Sequence, residues 1–137
     1  MQQDKTAIFR DRIAEPFFTV LGLQIEEVRL DFCRMRMPFH LGLRTEGQVV
    51  HGGAIASLVD SAGVVAVWSN VPPEITRGAT ATMTVNYLAA AEAVDLTAEA
   101  QVVRRGRSVV FVDIDVTSPA GDRIAKGSLV YKLSKGR

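Results

Sequence analysis

The residues best placed to do chemistry follow a glycine pair. His51, Gly52 and Gly53 open an apolar segment that runs to Trp68, and Asp60 is the one charged side chain within it. Asp60 falls about two helical turns beyond the glycines, at roughly 3.6 residues per turn. Burying an unpaired carboxylate costs several kcal/mol, so an acid here indicates a partner or a chemical task. Because backbone N–H groups at a helix start can face an anion, the pattern favours chemistry at a carbonyl carbon.

Length and composition set the class of protein. The 137 residues, 47% hydrophobic and 23% charged, predict one globular domain over residues 1–137. A net charge of +1 gives no general drive toward nucleic acid or an anionic membrane, so neither is expected as a partner. The first five residues lack the apolar core of a signal peptide. The apolar run 54–68 is shorter than the roughly 20 residues that span a bilayer, so we expect a soluble, cytoplasmic protein.

Cys33 is the single cysteine, which excludes an internal disulfide. One thiol in an apolar neighbourhood is more often buried than reactive. We therefore expect Cys33 to be an ordinary core residue in a reducing compartment.

Periodicity predicts the elements that must position these residues. Residues 1–20 form an N-terminal helical segment, which Pro16 should split or kink. A long helix follows His51 and ends near Asn70, ahead of two prolines. Strands are predicted over residues 23–30, 32–37, 77–89, 94–104, 108–117 and 123–133. A helix that is apolar on all sides must be covered on all sides, and a curved antiparallel sheet wrapped around it is the simplest α+β solution.

The order of the motifs identifies a family resemblance. His51-Gly52-Gly53, Asp60, Arg77-Gly78-Ala79-Thr80 and Val85-Asn86-Tyr87-Leu88 succeed one another along the chain. Together they resemble the phenylacetate-degradation type of acyl-CoA thioesterase, and the similarity runs from about Pro16 to Leu133. The resemblance implies the hotdog fold, in which a curved antiparallel sheet wraps around one long central helix.

The resemblance also implies roles for the residues of the motif. Asp60 attacks the thioester carbonyl or activates a water against it, and the sequence leaves both routes open. The Gly52 N–H, next to Gly53 at the helix start, polarises the thioester oxygen. His51 shapes the loop or orients the thioester and is not expected to transfer a proton. Thr80 matches a hydroxyl that positions water near the acid, although a plain strand threonine is nearly as good a reading.

One position departs from the family pattern. Many relatives carry Asn or Gln six residues before the His, where this chain has Thr45. Gln48 lies three residues later. Either the Thr45 hydroxyl substitutes for the amide, or a shifted loop brings Gln48 into the site.

A basic turn is the candidate for binding the far end of the substrate. Arg104, Arg105, Arg107 and Ser108 surround Gly106. A charge run is often only a solvated turn, but arginine binds phosphate bidentately. In the resembled family a turn here contacts the nucleotide of coenzyme A, and Arg77 is a further candidate from the preceding strand.

The resemblance carries implications for assembly and cofactors. It implies a homodimer with active sites shared between subunits, paired again into a homotetramer, and no metal or other cofactor, since coenzyme A is part of the substrate. The predicted activity is hydrolysis of acyl- or aryl-CoA thioesters to the acid and free coenzyme A. Two alternatives stay open: a hotdog dehydratase or hydratase, and a non-catalytic acyl-CoA-binding or scaffold protein.

Overall fold

The computed structural model describes residues 3–12 and 15–136 as a curved sheet around one long helix. The helices are α1 (Thr6–Arg12), α2 (Pro16–Leu21) and α3 (Gly52–Trp68), with a short 3-10 turn at Leu41–Leu43. The strands are β1 (Gln24–Arg29), β2 (Phe32–Met37), β3 (Ile75–Tyr87), β4 (Leu96–Arg105), β5 (Val109–Thr117) and β6 (Arg123–Lys135). Their order across the sheet is β1-β2-β4-β5-β6-β3, and every neighbouring pair is antiparallel.

Helix α3 is the centre of the core. Its 17 residues extend about 25 Å at 1.5 Å per residue, and it contacts all six strands. Small side chains on α3, among them Ala62 and Ala66, are fully buried and let the sheet approach closely. The α+β hotdog fold predicted from the sequence is thereby confirmed. Within the described ranges, no helix is long and apolar enough to cross a membrane.

Strand β3 forms one edge of the sheet and pairs only with β6 among the described strands. It is 13 residues long, and most of its side chains are exposed. Thr80 of β3 lies opposite Tyr131 of β6, whose side chain is buried, so both face α3. All six predicted strands exist, with ends within two residues of those expected.

The N-terminal helical segment is split into α1 and α2, as expected from the position of Pro16. Pro16 occupies the first turn of α2, where a backbone N–H has no acceptor within the helix, so the missing N–H of proline costs nothing. Glu15 precedes it in extended conformation. Gly22 ends α2 with a left-handed backbone, φ 75°. Residues 13 and 14, between α1 and α2, lie outside the described ranges.

Cys33 is a core residue, as expected. Its side chain on β2 is fully buried against α3's side of the sheet. Burial raises the pKa of the Cys33 thiol to about 12, so it stays protonated near neutral pH.

Candidate active site

Asp60 and Thr80 meet across the interface between helix and sheet. Asp60 is half-buried on α3, and the Thr80 hydroxyl on β3 donates a hydrogen bond of 2.8 Å to Asp60 Oδ1. The pairing follows from the sheet, because Thr80 is held on the face that α3 covers. The bond fixes one carboxylate oxygen and leaves the other for an incoming group.

The start of α3 is capped by its own preceding histidine. His51 Nδ1 accepts the Gly53 N–H at 2.7 Å, and the His51 N–H donates to the Leu43 carbonyl at 2.7 Å. Since Nδ1 is an acceptor, the neutral ring carries its proton on Nε2. A Cβ on Gly53 would lie 2.9 Å from that Nδ1 atom, so the cap requires glycine there. The geometry gives His51 a capping role at the start of α3.

The cap occupies the N–H of one glycine and not that of the other. The Gly53 N–H is occupied by His51, whereas no acceptor among the described residues takes the Gly52 N–H. The Gly52 carbonyl accepts the Tyr87 hydroxyl at 2.9 Å, which fixes the peptide from the β3 side. Gly52 therefore keeps the one N–H of this pair that can face a ligand. Tyr87 belongs to the recognised motif, but no pattern in the sequence connects its hydroxyl with Gly52, which lies 35 residues earlier.

The two candidates upstream of His51 lie in different surroundings. Thr45 lines a shallow cleft that also includes Gly52 and Tyr87. Gln48 is exposed, and its carbonyl accepts the Ala93 N–H at 2.9 Å. Only Thr45 of the two therefore lies in the cleft at the helix start.

Gly52 and Asp60 are far apart within one chain. Asp60 comes eight positions after Gly52 in the helix, which is about 12 Å along the axis at 1.5 Å per residue. A reacting carbonyl needs its oxyanion donor and its attacking group both within about 3 Å. One chain alone does not place these two groups on a single carbonyl.

Asp60 opens onto a cleft of about 430 Å³ between α3 and the N-terminal helices. Phe17 and Phe18 of α2 form one wall, and Val64 and Trp68 of α3 form another. The motifs of the sequence do not predict this cleft. The only available signal was the apolar pattern of residues 8–18, which does not reveal which part of α3 those side chains cover.

The basic turn contains one arginine with a structural role and two exposed arginines. Arg105 donates to Asp31 Oδ1 from Nε at 3.0 Å and from Nη2 at 2.8 Å, and to the Val67 carbonyl at 3.0 Å. It thus joins the end of β4 to the β1–β2 turn and to the end of α3. Arg104 and Arg107 are exposed.

Ser108 and Arg77 lie at the same end of the sheet as the turn. Ser108 is exposed, and its carbonyl accepts the Leu133 N–H at 2.7 Å. Leu133 pairs with Gly78 of β3, next to exposed Arg77. Two strand spacings, about 10 Å, separate Arg77 from the turn.

Comparison with known proteins decides the family. The model of the thioesterase superfamily matches residues 47–125, more than half of the chain, including His51, Asp60 and Thr80. The chain belongs to this superfamily. A candidate esterase of Halobacterium salinarum is 40% identical over 104 residues, which cover 73% of this chain and 68% of that protein. The thioesterase resemblance seen in the sequence is thereby confirmed, and so is the enzyme class.

Solved structures of other proteins show the same fold. The Escherichia coli PaaI protein of the phenylacetic acid degradation operon is 22% identical, with a TM-score of 0.84 over 96% of this chain and 93% of that one. A hypothetical thioesterase protein of Streptococcus pneumoniae, solved with coenzyme A, is also 22% identical. Its TM-score is 0.78 over 88% of this thioesterase and 92% of that chain.

Proposed function

We propose that this thioesterase hydrolyses acyl- or aryl-CoA thioesters, with Asp60 as the reacting carboxylate. The observation that carries the proposal is the Asp60 side chain, which Thr80 holds at 2.8 Å and which lines a cleft with aromatic walls. The superfamily supplies the reaction class. The coenzyme A in the S. pneumoniae structure supports the same leaving group here.

In the proposed reaction the Gly52 N–H holds the thioester oxygen while charge builds on it. Asp60 either attacks the carbonyl carbon, giving an anhydride that water then hydrolyses, or takes a proton from a water that attacks directly. In both routes the C–S bond breaks, water supplies the new oxygen, and the thiolate leaves and is protonated. His51 keeps the helix start in shape, and the Thr45 hydroxyl is the proposed replacement for the family amide.

The proposal requires a dimer whose sites are shared. Gly52 of one subunit serves Asp60 of the other, because about 12 Å of helix separates these residues within one chain. The long edge strand β3 supports this arrangement, since an exposed edge of 13 residues offers its backbone groups to another strand. Exposed Val103 and Phe111 on the outer side of the sheet support a second contact, which would make the predicted tetramer.

A thiol-release assay tests the activity. The purified protein is mixed with acetyl-, octanoyl- and benzoyl-CoA, and free thiol is measured with a chromogenic disulfide. We expect turnover with at least one of these esters. A binding or scaffold protein, or a dehydratase, would release no thiol from any of them.

The Thr80 hydroxyl should contribute to turnover. Thr80→Val keeps the β-branched shape and removes the donor to Asp60. A hydrogen bond to a charged group is worth about 1.5–3 kcal/mol, so we expect kcat to fall on the order of 10-fold or more. Thr84→Val is the matched control, because Thr84 is exposed on the same strand, opposite Ser128. Equal kcat values for the two variants would show that the Thr80 hydroxyl has no role in the reaction.

The exposed arginines of the turn should act on substrate binding. If Arg104 or Arg107 binds a coenzyme A phosphate, its replacement by Ala should raise KM for acyl-CoA about 10- to 150-fold, the equivalent of one charge-assisted hydrogen bond. We expect kcat to change little, because the contact is uniform through the reaction. A thioester lacking the nucleotide should be hydrolysed equally well by the variant and the wild type.

Two controls separate phosphate binding from structure. Arg123→Ala removes an exposed cation that faces Asp115 at 3.6 Å, away from the turn, and should leave KM unchanged. Arg105→Ala should lower the melting temperature, because it breaks the bonds to Asp31 and Val67. A KM effect at Arg123 as large as that at Arg104 and Arg107 would indicate general attraction of anions in place of a specific phosphate site.

A further inference from the structure

The peptide group that joins Gly52 to Gly53 is held at both of its polar atoms. Its N–H, on Gly53, donates to His51 Nδ1 at 2.7 Å, and its carbonyl, on Gly52, accepts the Tyr87 hydroxyl at 2.9 Å. The two side chains come from different elements, since His51 precedes α3 and Tyr87 is the last residue of β3. The plane of this peptide group is therefore fixed from the helix and from the sheet.

A glycine pair needs such a restraint. Glycine has more conformational freedom than any other residue, so two in succession loosen the start of a helix. The His51 cap requires Gly53, because a Cβ there would lie 2.9 Å from Nδ1. The freedom of the pair extends to Gly52, whose N–H is the proposed donor to the thioester oxygen. Such a donor stabilises the developing charge most when it is already oriented and does not reorganise during the reaction.

Tyr87 is attached to the sheet and packs against the helix start. It pairs with Ala125 of β6, and its ring lies beside Gly52, where a Cβ would be 3.4 Å from the ring atom Cε1. The loop before α3 is tied to the segment after β3, because the Val50 N–H donates to the Ala91 carbonyl at 2.8 Å. The end of β3 and the start of α3 are thus held together by backbone and side chain.

We infer that Tyr87 is a positioning residue for the reaction, because its hydroxyl fixes the orientation of Gly52 and so of the Gly52 N–H. The inference rests on the proposed hydrolysis, with Gly52 as its donor, and adds the residue that keeps this donor oriented. The contact of the donor strengthens as charge builds on the thioester oxygen. Loss of the Tyr87 hydroxyl should therefore lower kcat and leave KM nearly unchanged.

Strand β3 would then serve both halves of the catalytic machinery. Thr80, earlier on the same strand, donates to Asp60 Oδ1, and Tyr87 donates to Gly52. In the proposed dimer with shared sites, the β3 of each subunit positions the acid of one site and the oxyanion donor of the other.

A double-mutant cycle tests whether Tyr87 acts through Gly52. Tyr87→Phe keeps the ring and removes only the hydroxyl, so the protein should fold and kcat should fall about 10-fold, the equivalent of one hydrogen bond. In Gly52→Pro the donor is already absent, so adding Tyr87→Phe should change kcat by less than about 2-fold. Losses that multiply in the double variant would show that Tyr87 acts on another group and would overturn the inference.

Thr82→Val is the matched control for the loss of a hydroxyl. Thr82 is exposed on β3, opposite Val130, and does not line the cleft that includes Gly52 and Tyr87. This variant should keep the kcat and KM of the wild type. Equal kcat values for Tyr87→Phe and Thr82→Val would overturn the inference. A higher KM for Tyr87→Phe at unchanged kcat would also overturn it, since the hydroxyl would then contact the substrate directly.

Binding separates failure of the inference from failure of the proposed hydrolysis. Trifluoroacetonyl-CoA is a thioether whose ketone hydrates to a tetrahedral form with an oxygen where the oxyanion develops, whereas propyl-CoA has no carbonyl. Calorimetry should show that Tyr87→Phe binds trifluoroacetonyl-CoA about 10-fold more weakly than the wild type does and binds propyl-CoA equally well. If thiol release fails with every ester but this difference is found, Tyr87 still orients the donor and only the reaction was wrongly assigned. Equal Kd values for wild type and Tyr87→Phe with both ligands would overturn the inference whatever the enzymatic result.

Discussion

Asp60→Asn is expected to lower kcat by at least about 100-fold, which is the scale of general-base catalysis. The substitution keeps the volume of the side chain and its ability to accept from Thr80, so the fold should survive. It removes the negative charge that either attacks the carbonyl or deprotonates water. The measurement is kcat for the best thioester, with circular dichroism to confirm the native fold.

A second carboxylate provides the control for the Asp60 experiment. Asp113 is half-buried on β5, opposite Ser128 and outside the Asp60 cleft. Asp113→Asn makes the same chemical change away from the site and should leave kcat within about 2-fold of wild type, because a carboxylate outside the cleft cannot reach the reacting groups. Near wild-type turnover by Asp60→Asn would show that another group does the chemistry.

The fold could be predicted from the sequence because its pattern is local. Alternation in β1 to β6, the apolar run of α3 and the break at Pro16 each depend on a few neighbouring residues. The order of the strands across the sheet depends instead on residues that are distant in the chain. β2 pairs with β4, whereas β3, which lies between them in the chain, goes to the far edge beside β6. The wrapped sheet followed from the apolar helix, but this order is not visible in periodicity.

The site shows the same division between local and distant information. His51, Gly52 and Gly53 form a local cap, and the motif was enough to place them at the helix start. In the sequence Arg105 is one of three arginines in a basic turn. Its partner Asp31 is 74 residues away, and the two come together only in the folded sheet. The walls of the cleft beside Asp60 depend in the same way on how α2 packs over α3.

The Gly52 donor leads to the second large effect. Gly52→Pro removes the N–H proposed to hold the oxyanion, and losing one such donor typically costs on the order of 100- to 1000-fold in rate. Proline suits the position, because Gly52 is the first residue of α3 and His51 before it is extended, with ψ 135°. Circular dichroism and the melting temperature check that this variant folds, since a Cβ on Gly52 would lie 3.4 Å from the Tyr87 ring.

Mixing the two inactive variants tests where the site is assembled. In a symmetric dimer with shared sites, a heterodimer of Gly52→Pro and Asp60→Asn has one site with both defects and one with neither. Co-refolded heterodimer, purified through different tags on the two chains, should therefore regain up to about half of wild-type activity, although each homodimer is nearly inactive. We expect this recovery because Gly52 and Asp60 of one chain lie about 12 Å apart along α3 and cannot reach the same carbonyl. If the purified heterodimer is as inactive as its parents, each site lies within a single chain, and an N–H other than that of Gly52 must hold the oxyanion beside Asp60.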